Sequence, residues 1–377
     1  MNTPLLRRLG LALAAPALAA AFALFVSSIV LWLAGSSWID TYTEMIETAS
    51  KLETMIDILN RATPLYIAGT AVAIGFKMNL FNIGVEGQYV LASFAAAWVG
   101  AQFTAWGPIH VLAIMMTAFV VGSLWAGFAG LLKVTRGVNE VISTIMLNFI
   151  ATGGIIAATL PYAIEDPTDP NQGTTEIAES GWLPDLNSWV EVFTREILKG
   201  RKLTGMFAVA ILLGIAYSVM VNRSRFGFDL RSSGMNATAA RAGGVPPKKM
   251  ILYSMLLSGG VAGLIGMPQI LSTNHSYDQG FTQNLGFAGI AIALLGRNSA
   301  GGMAVAALLF GFLDTSSAPL QVSKTASPEI VVIMQATILL TAVIAYEVVS
   351  RKRQADEVRR AAMATEAAKA TEAGASA

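Results

Sequence analysis

The sequence predicts an all-α integral membrane protein of about ten transmembrane helices, and three observations carry that expectation. Its 377 residues are 54% hydrophobic and only 13% charged, against roughly 25% charged in soluble domains, and the mean hydropathy is +0.58. Apolar runs recur along the chain, most of them near the roughly 20 residues that a hydrocarbon core of about 30 Å demands of a helix. Lys and Arg gather between alternate runs, as the positive-inside rule requires. The net charge of +1 decides nothing, because orientation follows distribution and not the sum. The absence of cysteine excludes disulfides and thiolate metal sites. The two histidines, His110 and His275, have no ligand-like spacing, so no metal centre is expected.

In chain order the candidate spans are 9–34, 64–81, 88–106, 108–132, 139–161, 204–222, 250–272, 284–297, 300–319 and 329–349. The second and eighth are short or interrupted. Arg7 and Arg8 precede the first span, and Lys133 and Arg136 follow the fourth. Arg223, Arg225, Arg231, Arg241, Lys248 and Lys249 lie between the sixth and seventh, and Arg351, Lys352 and Arg353 follow the tenth. If every span crosses once, all four clusters share one side. Both termini are then cytoplasmic, and loops 35–63 and 162–203 are external. Residues 1–349 form one transmembrane domain, and 350–377, rich in Ala, Glu, Lys and Arg, form a cytoplasmic tail that is helical or disordered. The opening "LLRRLGLALAAPALAAA" also fits a cleaved signal peptide, although the apolar run continues to Ala34 and suits an uncleaved anchor better. Loop 162–203 contains Pro167, Pro170 and Pro184, with a short helix expected near 187–199. Five spans precede this loop and five follow it. An odd number per half makes the halves run oppositely, which is the inverted-repeat plan of many transporters.

The stretch "KMNLFNIGVEGQYV", 77–90, interrupts this apolar pattern and predicts a broken helix near 81–88. Asn79, Asn82 and Glu86 share a helical face, with Gln88 beside them and Gly84 and Gly87 weakening the helix. A carboxylate within a bilayer needs partners or water. The stretch is therefore a pore-lining elbow or a structural lock in which Glu86 pairs with Lys77 or caps a half-helix. In "GVNEVISTIMLNFIA", Glu140, Thr144 and Asn148 recur every four residues as one polar stripe. It faces protein or a watery path, since lipid would be costly; alternatively Thr144 bonds back to its own helix and Asn148 joins two helices. "LSGGVAGLIG", 257–266, has the small-residue spacing of close helix packing. Asp314 reads as a path residue or an end cap. His275 and Tyr277 fall in a short outer loop open to a docked protein or to solvent.

No phosphate-binding G-x-x-x-x-G-K-[ST], G-x-S-x-G, H-E-x-x-H or dinucleotide fingerprint occurs, so enzyme chemistry in this chain is not expected. The most polar internal loop, 223–249, holds Asn236 as a helix cap, an alanine-rich stretch and then Gly243 and Gly244 as a stop. A helix of about two turns follows, stiffened at its exit by Pro246 and Pro247. Such a short protruding helix either transmits a push from a docked protein or is a basic membrane-proximal loop.

"LFNIGVEGQ", "GVNEVISTIMLN", "RFGFDLRSSGMNATAARAGGV" and "GFAGIAIALLGRNSAGG", in that order over residues 64 to 345, resemble the permease subunits of bacterial ABC importers for nucleosides and simple sugars. The likeness is greatest to the longer permease of nucleoside-type systems. The resemblance implies a partner ATPase that binds ATP and Mg, a second permease subunit in a heterodimer, an extracytoplasmic solute-binding lipoprotein, and an inner-membrane location. It implies no cofactor in this chain and no nucleic acid partner. Segment 231–244 resembles the family's coupling helix, with Arg231, Asn236, Ala239, Ala240, Arg241 and Gly243 as the ATPase-coupling residues. The family's usual N-P-E-A-A reads "NATAA" here, and Thr238 at the acidic position puts a salt bridge to the ATPase from that position in doubt.

The function so implied is ATP-driven import of a nucleoside or related purine or sugar solute. The expected pathway residues are Asn79, Phe81, Asn82, Glu86, Gln88, Glu140, Thr144 and Asn148. Amides and hydroxyls hydrogen-bond an uncharged solute without trapping it, and Phe81 stacks on a base or packs in the core. The rival is a proton- or sodium-coupled secondary transporter with Glu86 and Glu140 as titrating groups. A third reading is a non-transporting membrane scaffold.

Overall fold

The computed structural model describes residues 22, 24–33, 35–164, 173–194, 200–278, 280–317, 332–341 and 344. Among these the chain is helical, with no strand beyond the isolated bridges Ile164–Thr174 and Asp185–Thr204. It divides into two compact units, Met1–Tyr42 with Leu320–Ala377, and Thr43–Pro319. In the first, described residues form helices α1 (Leu24–Leu33), the start of α2 (Trp38–Ala49) and a C-terminal helix, Val332–Thr341. The signal-peptide question and the 350–377 tail lie outside the described residues.

The second unit holds the remaining elements. Helix α3 (Leu52–Lys77) is its axis, touching α8 (Met206–Arg223), α11 (Pro247–Gly263), α13 (Leu285–Leu295) and α14 (Ala300–Ser316). Helices α4 (Val85–Ala101) and α11 pack against α5 (Gly107–Arg136). Helix α6 (Glu140–Phe149) continues through a π-helical stretch, Ile150–Ile156, toward Tyr162. Short helices α7 (Asn187–Thr194), α9 (Arg225–Met235), α10 (Ala237–Ala242) and α12 (Met267–Ser272) fill the loops.

Local chemistry sets many of these ends. Pro108 opens α5 in its first turn and Gly137, at φ +69°, closes it in the left-handed region. Asn139, Ser224, Asn236 and Ser299 each cap the helix that follows with a side-chain oxygen. The small-residue run 257–266 does pack closely: Gly259 of α11 meets Gly122 of α5 backbone to backbone, and a Cβ on either would collide with the other's carbonyl.

The expected span count is not reproduced. Four helices, or five if the bent pair of α1 and α2 counts as one, are long and apolar enough to cross a membrane among the described residues. These are α5, Glu140–Tyr162, α8 and Pro247–Ser272. The reason lies in where the breaks fall. Helix α3 starts at Leu52, well before the expected Pro64, and its first turns carry Glu53, Asp57 and Arg61. Helices α4, α13 and α14 are short pieces of 17, 11 and 17 residues.

Candidate functional site

The polar string begins where α3 ends. After Lys77 the backbone turns back on itself: the Met78 and Leu80 amides both donate to Gly75 O, and Asn79 adopts φ +58°. Helix α4 then restarts at Val85, giving the break expected near 81–88. Asn79 and Phe81 stand exposed on this elbow, with Phe81 against Phe76 at 5.1 Å between ring centroids.

Beneath them the amides close on one another. Asn82 and Gln88 exchange two hydrogen bonds, Asn82 Nδ2 to Gln88 Oε1 at 3.0 Å and Gln88 Nε2 to Asn82 Oδ1 at 2.9 Å. Asn82 also donates to Ser258 Oγ of α11 at 2.9 Å and accepts from Gly84 N at 3.1 Å. Ser258 in turn donates to Ala71 O of α3. Asn148 of α6 bridges to the same elbow, accepting from Gly87 N at 2.9 Å and donating to Ile83 O at 3.1 Å. Three of the eight expected pathway residues, Asn82, Gln88 and Asn148, therefore tie the buried elbow to α3, α6 and α11, and a fourth, Glu86, ties α4 to α13.

Glu86 provides the contact to α13. Its Oε1 accepts from Asn284 N at 2.6 Å and its Oε2 from Gly286 N at 2.9 Å. Asn284 has φ +69° and its own side chain does not cap the helix, and the first turn of α13 has no acidic residue. Glu86 thus takes the place of a local cap and sets its charge against the positive end of the helix dipole. Gly286 permits this approach, because a Cβ there would lie 2.5 Å from Glu86 N. Tyr89, which sequence reasoning passed over, donates its hydroxyl to Thr282 O at 2.6 Å and steadies the segment leading into α13.

The rest of the α6 stripe is engaged locally. Thr144 donates back to Glu140 O at 2.7 Å, and its Cβ packs where Gly84 leaves room. Glu140 forms an ion pair with Lys133 of α5. The other singled-out residues have partners as well. Asp314 pairs with Arg61 at 2.7 Å. His275 stacks on Trp182 at 3.9 Å, and burial lowers its pKa. Tyr277 is buried against Phe94 and Phe281.

The loop residues fall on a separate surface. Asn236 Oδ1 accepts from the Thr238 and Ala239 amides at 3.0 Å each. Ala239 and Arg241 are exposed and Ala240 is buried, so α10 presents one face outward. Gly243 closes the helix by donating to Ala239 O. Arg231 is partly buried on α9, with Nη1 lacking a partner among the described residues. Gly234, near the end of α9, lies directly against Lys77 and Met78, so this loop touches the elbow. No cluster of metal-ligating residues occurs among the described residues.

Residues 54–343 match the family model for the permease component of branched-chain amino acid transport systems. The guanosine ABC transporter permease protein NupP of Bacillus subtilis is 36% identical over 78% of this chain and 81% of its own length. The glucose ABC transporter permease protein TsgB13 of Haloferax volcanii is 30% identical over 88% and 87%. The nucleoside ABC transporter permease protein NupB of Lactococcus lactis is 26% identical over 86% and 88%. A solved structure, PsaBC from Streptococcus pneumoniae in complex with Fab, aligns over 82% of this chain and 95% of that one at 14% identity, with a TM-score of 0.37.

Proposed function

Because the chain belongs to the permease-component family matched over residues 54–343, we propose that it carries a nucleoside or a related purine or sugar solute as the transmembrane permease subunit of an ATP-binding-cassette importer. The single observation behind this reading is sustained similarity, over about four-fifths of both chains, to a guanosine permease. A glucose permease nearly as similar keeps sugars within the class. The partners implied are an ATPase, which handles ATP and Mg, and a solute-binding protein, with a second permease subunit completing a heterodimer. Ten passes in two opposed halves over 1–349, with cytoplasmic termini, belong to the same proposal.

The coupling route runs through the loop. The exposed face of α10, with Ala239 and Arg241, receives the ATPase, and Gly234 carries the push to the elbow. On that elbow the exposed Asn79 and Phe81 face the solute. Asn82, Glu86, Gln88, Thr144 and Asn148 border the route by fixing its wall, since their hydrogen-bonding groups are engaged by the chain itself. The secondary-transport reading is disfavoured by the family and by the sites: Glu140 is tied to Lys133 and Glu86 to two backbone amides.

The assembled complex in proteoliposomes tests this directly. Guanosine uptake should begin on ATP addition with ionophores present, and Ala239→Trp should abolish it while ATP hydrolysis continues. Uptake that collapses with the proton gradient and ignores ATP would overturn the proposal.

A further inference from the structure

A cavity of about 500 Å³ lies between the start of α3, the loop 200–204, the α11–α12 break and the segment leading into α13. None of the roles assigned above uses it. Its volume lies in the range of small-molecule sites. Its floor is apolar, formed by Pro64, Ile265, Pro268 and Leu285.

The polar wall differs in kind from the elbow. Gln269 accepts only a long 3.4 Å bond from Thr282 N, and its Nε2 has no partner among the described residues. The Thr282 hydroxyl is likewise without a partner there, although its backbone is pinned by Gln269 and Tyr89. Ser272 Oγ and Thr204 Oγ1 are buried and unpartnered. Buried hydroxyls are ordinarily satisfied, so Ser272 Oγ and Thr204 Oγ1 are left for a partner in the cavity, beside the part-exposed Gln269 and Thr282.

The charges at the rim are already answered. Arg61 pairs with Asp314 at 2.7 Å, Arg201 with Asp57 at 3.4 Å and Lys202 with Asp185 at 4.0 Å. Among the described lining residues, each Arg and Lys thus has a carboxylate partner. An apolar floor facing open hydroxyl and amide groups, within a ring of neutralised charge, matches an uncharged, hydroxyl-bearing ring compound.

We infer that this cavity is an external holding site within the single chain for the neutral, hydroxylated ring solute, with the Gln269 amide and the Thr282 hydroxyl as its polar contacts. The inference rests on the import reading and on its placement of 35–63 and 162–203 outside. It sets the site directly above α13, whose start Glu86 holds.

The chain has no cysteine, so Thr282→Cys introduces one near-isosteric thiol. In the full complex, a membrane-impermeant thiol reagent applied from outside should label it. Guanosine or glucose at millimolar concentration should slow labelling at least five-fold, and inorganic phosphate should not. Gln269→Leu, which keeps the volume and removes the donor, should raise the KM for ATP-driven uptake about three- to ten-fold with its thermal midpoint unchanged. Labelling unaffected by either neutral solute, while wild-type uptake is intact, would overturn this site and leave the import reading standing. Protection by phosphate would overturn the neutral class. A wild-type complex that fails to import either solute with ATP would overturn the import reading and this inference with it.

Discussion

The elbow at 78–88 and the cavity above α13 are both polar regions in an apolar helical unit, yet their hydrogen bonding is opposite. At the elbow, the donors and acceptors of Asn82 and Gln88 meet inside the chain, and Glu86 and Asn148 reach backbone groups of a second helix or loop. At the cavity, Ser272 and Thr204 end without partners. Polar residues in an apolar interior are kept either because they satisfy one another or because something mobile satisfies them. The first case gives a rigid scaffold and the second a place for water or solute. Substitutions at the elbow should therefore cost stability first, and those at the cavity should cost uptake alone.

The contrast can be broken most forcefully at Gly286. Gly286→Val places side-chain atoms against Glu86 backbone, 2.5 Å from its nitrogen at Cβ alone, and the assembled complex should not be recovered on size-exclusion chromatography. Glu86→Ala comes next. It leaves the Asn284 and Gly286 amides unmade at about 1–3 kcal/mol each, and the melting midpoint of the purified complex should fall by several degrees, with uptake lost in proportion. Thr144→Val should have the smallest effect. Its hydroxyl serves only its own helix, so calorimetry should register no more than about 1 kcal/mol. A larger loss there would mean that the α6 stripe does more than hold the elbow's edge.

How much of this was legible in the sequence depended on the distance between partners. Asn236 as a cap and the break within 77–90 rest on neighbours a few residues away, and the close packing of 257–266 on the local spacing of small residues, although the helix they meet is distant in sequence; each is present. The Thr144 back-bond and the Glu86 cap were foreseen only as alternatives to pore lining. The target of Glu86 was not legible at all, because Asn284 lies 198 residues further on. The one available clue was an α13 that opens with "LGFAG" and supplies no cap of its own. The Asp314–Arg61 pair spans 253 residues and was hidden for the same reason. Ten spans are not confirmed among the described residues, because hydropathy alone does not mark where α3 begins or where α4, α13 and α14 stop short. The cavity gave no signal, since four separate segments build it and none is unusual in composition.

One paired measurement tests the contrast most directly. Asn82→Leu and Gln269→Leu each replace an amide by a leucine of similar size, one at the satisfied junction and one at the open cavity. Thermal unfolding and ATP-driven guanosine uptake, followed in the same preparation of complex, should separate them. The Asn82 variant should lose melting temperature and uptake together, and the Gln269 variant should keep its melting temperature while uptake weakens. Equal losses of stability in both, or an Asn82 variant that melts like wild type, would contradict the account.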